Sequence, residues 1–103
     1  MRKYLQSLAE LLHRAGEGAR AASVENVICR SDAELDAFLV SNELWGGSGS
    51  IADCAGVGAE RSVRREIERL LIRLGNEQIR SGNVNPRTAM WVGAFSAWET
   101  AGR

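Results

Sequence analysis

The sequence predicts an all-α fold, a compact bundle of about five helices in a single domain spanning residues 1–103. Apolar residues recur in several segments at the i, i+3, i+4, i+7 spacing of an amphipathic helix. No segment alternates apolar and polar residues with the period of two that a half-buried strand shows. Clusters of glycine, serine and asparagine divide the helical segments at short intervals. The length is near the common size of one domain.

The first two helices are predicted for residues 2–15 and 19–29. The apolar residues of the first helix share one arc of its surface: Tyr4, Leu5, Leu8, Leu11, Leu12 and Ala15. Gly16 and Gly18 end that helix, because glycine disfavours a helix interior. The second helix is less regular, and its inward residues are expected to be Ala22, Val24, Val27 and Ile28.

A capping box marks the start of the third helix. Ser31 is followed three residues later by Glu34, so each side chain can accept a hydrogen bond from the other residue's backbone N–H. The residues expected to face the core are Leu35, Phe38 and Leu39. The helical pattern ends near Leu44. After a glycine-rich stretch, Ser50 and Asp53 form a second capping box at the start of a short helix.

The longest and the last helices fill the C-terminal half. The long helix is predicted over residues 59–80, with an apolar face of Val63, Ile67, Leu70, Leu71 and Leu74. Asn85 is the predicted N-cap of the last helix, with Pro86 in the first helical position, where its missing N–H costs nothing. This helix extends to about Ala101. Its apolar residues on one side are Met90, Trp91, Ala94, Phe95 and Trp98.

Residues 45–53 read WGGSGSIAD, and the glycines allow positive φ angles at little cost. Backbone N–H groups in such a turn, together with the start of the following helix, suit a carboxylate, phosphate or sulfate. The hypothetical anion site comprises Gly46, Gly47, Ser48, Gly49 and Ser50. The alternative, which we favour, is a tight interhelical turn with Trp45 packed in the core. The stretch lacks the GK[ST] ending of a P-loop and follows a helix, so a nucleotide site is not indicated.

The same stretch carries a resemblance to a known family. The order of a helix, a break at HRAGEG, a second helix, a capped third helix and WGGSGSIAD resembles a family of small bacterial helical proteins, a domain of unknown function. That family has an aromatic-GGxGSxxD signature between helices. The matching positions are Trp45, Gly46, Gly47, Gly49, Ser50 and Asp53, within a resemblance over roughly residues 5–55. The family has no assigned activity, so the resemblance implies a fold and carries no function.

Arginines follow one stripe of the long helix, opposite its leucine face: Arg61, Arg65, Arg69, Arg73 and Arg80. Such a stripe can bind an acidic protein or a phosphate backbone. Ile72 falls in the same outward arc, and an exposed isoleucine among arginines indicates a contact surface. The candidate partner-binding residues are therefore Arg61, Arg65, Arg69, Ile72 and Arg73. The alternative is a solvated face, on which glutamates pair with these arginines at i, i+3 and i, i+4 spacing.

The aromatic residues of the last helix have three interpretations, and the first is that they line a ligand pocket. Trp91 and Trp98 lie one heptad apart, with Phe95 between them. Large aromatic residues at this spacing are typical of a core. The competing hypothesis is a homodimer interface formed by these three residues.

Composition argues against several other classes of function. Thirteen basic and thirteen acidic residues cancel, whereas a nucleic-acid binder normally has a basic excess. One histidine and two cysteines without CxxC spacing do not indicate a metal site or a disulfide framework. A triad of His13, Ser48 or Ser50, and Asp53 can be written down, but nothing in the sequence aligns these residues. We therefore expect no enzyme activity and no cofactor.

The sequence thus predicts a small cytoplasmic protein that binds an unidentified protein partner, as an immunity-type, antitoxin-like or adaptor protein would. The cytoplasmic location is expected because no segment approaches the roughly twenty apolar residues that span a bilayer, and the first residues do not form a signal peptide. Nucleic acid and membrane are not expected partners. The alternative function is small-molecule or anion binding by the GGSGS loop, with Trp45 as a wall.

Overall fold

Seven helical segments follow one another in the part of the chain that the computed structural model describes, residues 1–54 and 56–102. They are α1 (Arg2–Arg14), α2 (Gly18–Ile28), α3 (Asp32–Leu39), α4 (Asn42–Trp45), α5 (Ile51–Cys54), α6 (Arg61–Ser81) and α7 (Thr88–Thr100). The segments α4 and α5 have four residues each, and the other five have eight or more. No strand occurs among the described residues. The predicted all-α bundle is confirmed.

Helix α6 is the central element, packed against α1 on one side and α7 on the other. Its buried apolar residues are the predicted ones: Val63, Ile67, Leu70, Leu71 and Leu74. Helix α1 buries Leu5, Leu8, Ala9 and Leu12, and it also packs on α2. Within the described residues, no helix combines the length and the hydropathy needed to cross a membrane.

A buried polar contact connects distant parts of the chain at Gln78 of α6. The indole Nε1 of the fully buried Trp45 donates to Gln78 Oε1 at 2.9 Å. Gln78 Nε2 donates in turn to the backbone oxygens of Leu39 at 2.6 Å and Asn83 at 3.0 Å. Buried polar groups are stable only with such partners. The side chain of Gln78 therefore connects the end of α3, the end of α4 and the loop after α6.

The third helix ends earlier than predicted. Helix α3 ends at Leu39, and a separate helix, α4, begins at Asn42. The backbone of Ser41 is extended, and its hydroxyl accepts a hydrogen bond from the Leu44 N–H at 3.3 Å. The prediction of one helix to Leu44 is wrong because Ser41 is itself an N-cap. Leu44 still reaches the core.

The last helix begins later than predicted. Asn85 Oδ1 accepts a hydrogen bond from the Arg87 N–H at 2.9 Å, as a capping side chain does. Residues 86 and 87 nevertheless form a turn, and α7 begins at Thr88. Asn85 is buried, and its Nδ2 donates to Val40 O at 2.8 Å, which attaches this turn to the end of α3.

Two inward-facing assignments also differ. Ala21, and not Ala22, is buried on α2, whereas Val24, Val27 and Ile28 face inward as predicted. Met90 is 52% exposed and does not join the tryptophans on the inner side of α7.

Two glycines inside helices provide a matched test of this packing. A Cβ on Gly75 of α6 would lie 2.3 Å from Val92 Cγ2 of α7, whereas a Cβ on Gly93 would meet nothing within 4 Å. We expect Gly75→Ala to destabilise the fold by about 1–3 kcal/mol, because α7 must move away. Gly93→Ala should stabilise it by roughly 0.5–1 kcal/mol through helix propensity. Urea unfolding followed by circular dichroism measures both, and equal effects of the two substitutions would contradict the close approach of α6 and α7.

Candidate functional site

The glycine loop, residues 46–50, is held by hydrogen bonds within the chain. Ser50 Oγ donates to Gly46 O at 2.7 Å and accepts from the Asp53 N–H at 3.1 Å, so the predicted cap is confirmed. Asp53 Oδ2 accepts a hydrogen bond from the N–H of Gly49 at 3.1 Å. A standard capping box would use the N–H of the N-cap residue itself, Ser50. In this loop only Gly49 has a positive φ, +88°.

These contacts use backbone groups that a bound anion would need. The Gly46 N–H donates to Asn42 O, and the Ser50 N–H donates to Gly47 O. The Gly49 N–H donates to the carboxylate of Asp53. Glycine is required at position 46 for space, because a Cβ there would lie 2.3 Å from Asn42 O. The tight turn thus accounts for the loop. The anion-binding hypothesis for Gly46, Gly47, Ser48, Gly49 and Ser50 stays a prediction without support from this geometry.

The arginine stripe of α6 is joined to the neighbouring helices. Arg69 Nε lies 2.6 Å from Glu99 Oε1 of α7, and Arg61 donates to the backbone oxygen of Gly102. On the other side, Arg14 of α1 pairs with Glu66 of α6 at 2.9 Å. Pairs within α6 are also present, such as Arg80 with Glu77 at 3.0 Å and Arg64 with Glu68 at 3.9 Å. The stripe is therefore partly neutralised, by Glu99 of α7 at Arg69 and by Glu77 of the same helix at Arg80.

A groove between α1 and α6 borders this stripe. Its volume is about 330 Å³, its apolar lining includes Leu11 and Leu70, and three arginines line it: Arg14, Arg69 and Arg73. A second depression of about 460 Å³, lined by Arg61 and Arg65 among others, shares Arg69 with the first. Arg73 makes no hydrogen bond or ion pair with any described residue. The two depressions are adjacent, because Glu66 and Arg69 line both of them.

Ile72 does not belong to this exposed surface. It is half-buried and packs against the core, so the prediction that it is exposed is wrong, while its role in partner binding stays a prediction. Helix α6 is covered by α1 and by α7, which leaves only a narrow arc of its circumference in solvent. A residue at the edge of that arc is partly covered by the neighbouring helix.

The three aromatic residues of α7 pack on one another. The rings of Trp91 and Phe95 stack with centroids 5.6 Å apart, and Trp98 meets Phe95 edge to face at 5.6 Å. Trp91 Nε1 donates to the backbone oxygen of Trp45 at 3.1 Å. Phe95 is only 2% exposed and belongs to the core. A homodimer interface through Trp91, Phe95 and Trp98 stays a prediction. Of these three residues, only the two half-buried tryptophans have surface that a second copy could contact.

The same residues line a cavity whose other walls the sequence patterns do not predict. This aromatic cavity has a volume of about 190 Å³ and lies between α5, α6 and α7. Trp91, Phe95 and Trp98 line it together with Arg64 and Glu68 of α6. The only sequence signal is that Arg64 and Glu68 are four residues apart on one helix, while the tryptophans are seven apart on another. Neither spacing indicates that these two faces meet.

The residues considered for catalysis do not form a site. His13 is exposed, and its hydrogen-bond partner is Glu25 at 3.2 Å. Ser50 Oγ is bonded to Gly46 and Asp53, so no base contacts this hydroxyl. Over residues 1–54 and 56–102, no three His, Cys, Asp or Glu side chains are grouped so that they could hold a metal ion.

Neither a family model nor a curated protein nor a solved structure matches this chain. The resemblance to the bacterial family with the aromatic-GGxGSxxD signature therefore stays a prediction. The function is inferred instead from the geometry of the arginines and of the aromatic cavity.

The two serines of the glycine loop provide a test of its structural role. Ser50→Ala removes the cap of α5 and the shorter of the two hydrogen bonds to the buried Gly46 oxygen, so we expect a loss of about 1–2 kcal/mol in unfolding free energy. The control, Ser48→Ala, changes an exposed side chain and should stay within about 0.5 kcal/mol of wild type. Chemical denaturation measures both, and a Ser50→Ala protein as stable as the control would show that the loop is not held by this hydroxyl.

Proposed function

We propose that this protein is a protein-binding module whose partner docks on the arginine face. We define the arginine face as the two adjacent depressions lined by Arg14, Arg61, Arg65, Arg69 and Arg73. The observation that carries the proposal is a groove with apolar residues in its lining, bordered by cations, of which Arg73 has no ion-pair or hydrogen-bond partner in the described chain. A partner that places a carboxylate beside Arg73 and an apolar side chain on Leu11 and Leu70 would satisfy both features.

The charge of this face favours an acidic partner. Five arginines border it against three glutamates, Glu10, Glu66 and Glu99, which leaves an excess of two positive charges on a chain whose net charge is zero. Guanidinium groups can bind carboxylates through two parallel hydrogen bonds, which adds orientation to the attraction. An acidic segment is therefore both attracted to this surface and oriented on it.

The existing ion pairs prepare the surface for binding. Arg14 and Glu66, and also Arg69 and Glu99, are roughly half exposed, and such pairs contribute only about 0–1 kcal/mol to stability. Carboxylates of a partner can replace them at little cost. The pairs meanwhile restrict the arginine side chains, which reduces the conformational entropy lost on binding.

The dimensions suit a helical partner. Arg61 and Arg73 are twelve residues apart on one helix, which places them about 18 Å from each other along its axis. Three turns of an acidic amphipathic helix have about the same length. An immunity-type, antitoxin-like or adaptor role is consistent with a domain of this kind. The glycine loop is less suited to binding, because the N–H groups of Gly46, Gly49 and Ser50 are bonded within the chain.

Charge reversal on the arginine face tests this function. The double variant Arg69→Glu/Arg73→Glu should lose at least about tenfold in affinity for a protein partner captured from a lysate of the source organism. The control, Arg30→Glu/Arg80→Glu, changes the net charge equally at two exposed arginines that do not line the groove. Quantitative mass spectrometry of the captured proteins compares wild type and both variants.

Capture by wild type and by the control, but not by the arginine-face variant, would support the proposal. Equal capture by all three proteins would place the binding surface elsewhere. The absence of any stoichiometric partner under native salt would contradict the binding function itself.

A further inference from the structure

We propose that the aromatic cavity binds a small, neutral, planar aromatic ligand that carries a hydrogen-bond acceptor. This site lies between α5, α6 and α7 and involves none of the residues of the arginine face. The two proposals are therefore independent, and each can fail without the other.

The volume and the walls of the cavity suit one aromatic ring. Apolar cavities of about 150 Å³ are large enough to bind benzene, and this cavity has about 190 Å³. Trp91, Phe95 and Trp98 provide aromatic walls, against which a flat ring can pack face to face or edge to face. A ring with one small substituent fills the space.

The walls are held in place before a ligand enters. Trp91 Nε1 lies within 3.1 Å of Trp45 O and 3.3 Å of Gly46 O, and its ring stacks on Phe95. Side chains that are already ordered lose less entropy on binding. Val57 lies at the edge of the cavity and is 73% exposed, so the cavity has a border with solvent through which a small molecule can enter.

The hydrogen-bond acceptor is inferred from Arg64. Its Nε is buried and has no hydrogen-bond partner in residues 1–54 and 56–102. Glu68 Oε2 lies 3.9 Å away, which is beyond hydrogen-bond length. A buried donor without an acceptor is unfavourable, so a ligand oxygen or ring nitrogen that accepts from this N–H is stabilised there.

Two further observations restrict the ligand. A Cβ on Gly56 would lie 3.1 Å from the Cα of Arg64, so the backbone of the turn before α6 lies close to this arginine. Asp53 and Glu68 also line the cavity, which gives the lining a formal charge of one negative unit with Arg64 included. An anionic ligand is repelled by this lining, and a neutral carbonyl or heterocycle is favoured.

Benzamide is the probe for this site, because it combines one aromatic ring with a neutral carbonyl oxygen. In a titration of the ¹⁵N-labelled protein, we expect shifts of the indole N–H signals of Trp91 and Trp98 and of the Nε–H signal of Arg64. The dissociation constant should be on the order of millimolar for so small a molecule. Toluene, which lacks the acceptor, and benzoate, which is anionic, should both bind more weakly. No shift of these signals, or equal binding of all three compounds, would overturn the proposal.

Substitution of Arg64 tests the hydrogen bond. Arg64→Lys removes the Nε–H and keeps the charge, so it should weaken benzamide binding roughly tenfold and leave toluene binding unchanged. The control, Arg20→Lys, alters an arginine of similar exposure (33% against 36%) that does not line the cavity, and should have no effect. Equal benzamide affinity in Arg64→Lys and wild type would overturn the assignment of the acceptor. Binding of N-acetyl-phenylalaninamide without binding of benzamide would overturn the small-molecule assignment and indicate a pocket for a partner's aromatic side chain.

Discussion

Trp45 lies where α4, α6 and α7 meet, and its indole N–H donates to Gln78 Oε1 at 2.9 Å. A helix of four residues such as α4 is not stable alone, so its position depends on the burial of this side chain. Gly75 makes room for the ring, because a Cβ there would lie 3.3 Å from Trp45 Cη2. The backbone oxygen of Trp45 accepts from Trp91 Nε1, which places α7. One tryptophan thus determines how three helices pack.

Both candidate surfaces depend on this arrangement. Helix α6 carries Arg69 and Arg73 toward the groove with α1, and it carries Arg64 and Glu68 toward the aromatic cavity. The groove and the cavity exist only if α6 is held between α1 and α7 at fixed distances. The contact of Trp45 with α6 and α7 sets the distance between those two helices. The apolar face of α6 sets its distance from α1. The two proposed binding surfaces therefore depend on the stability of the core.

Local signals predict more of this structure than non-local ones. The apolar periodicity of α1 and α6 is sufficient for those helices, and Ser31 and Ser50 are recognisable as caps because their hydrogen bonds lie within three residues. Gln78 is not recognisable, because its burial depends on Trp45, which is 33 residues away. Ser41 has the same chemistry as Ser31, but the apolar pattern continues through it. The spacing of Trp91 and Trp98 allows a pocket as one interpretation, but the residues of α5 and α6 that complete the aromatic cavity cannot be predicted, since it arises where three helices meet.

Hydrogen exchange of the Trp45 indole N–H measures the central contact directly. If the Trp45–Gln78 contact holds the fold together, this N–H exchanges only when the whole chain unfolds, and its protection free energy equals the unfolding free energy from denaturation. The indole of the half-buried Trp91 should exchange through smaller, local openings. Exchange of the Trp45 indole at the same rate as that of Trp91, well below the global stability, would contradict this account.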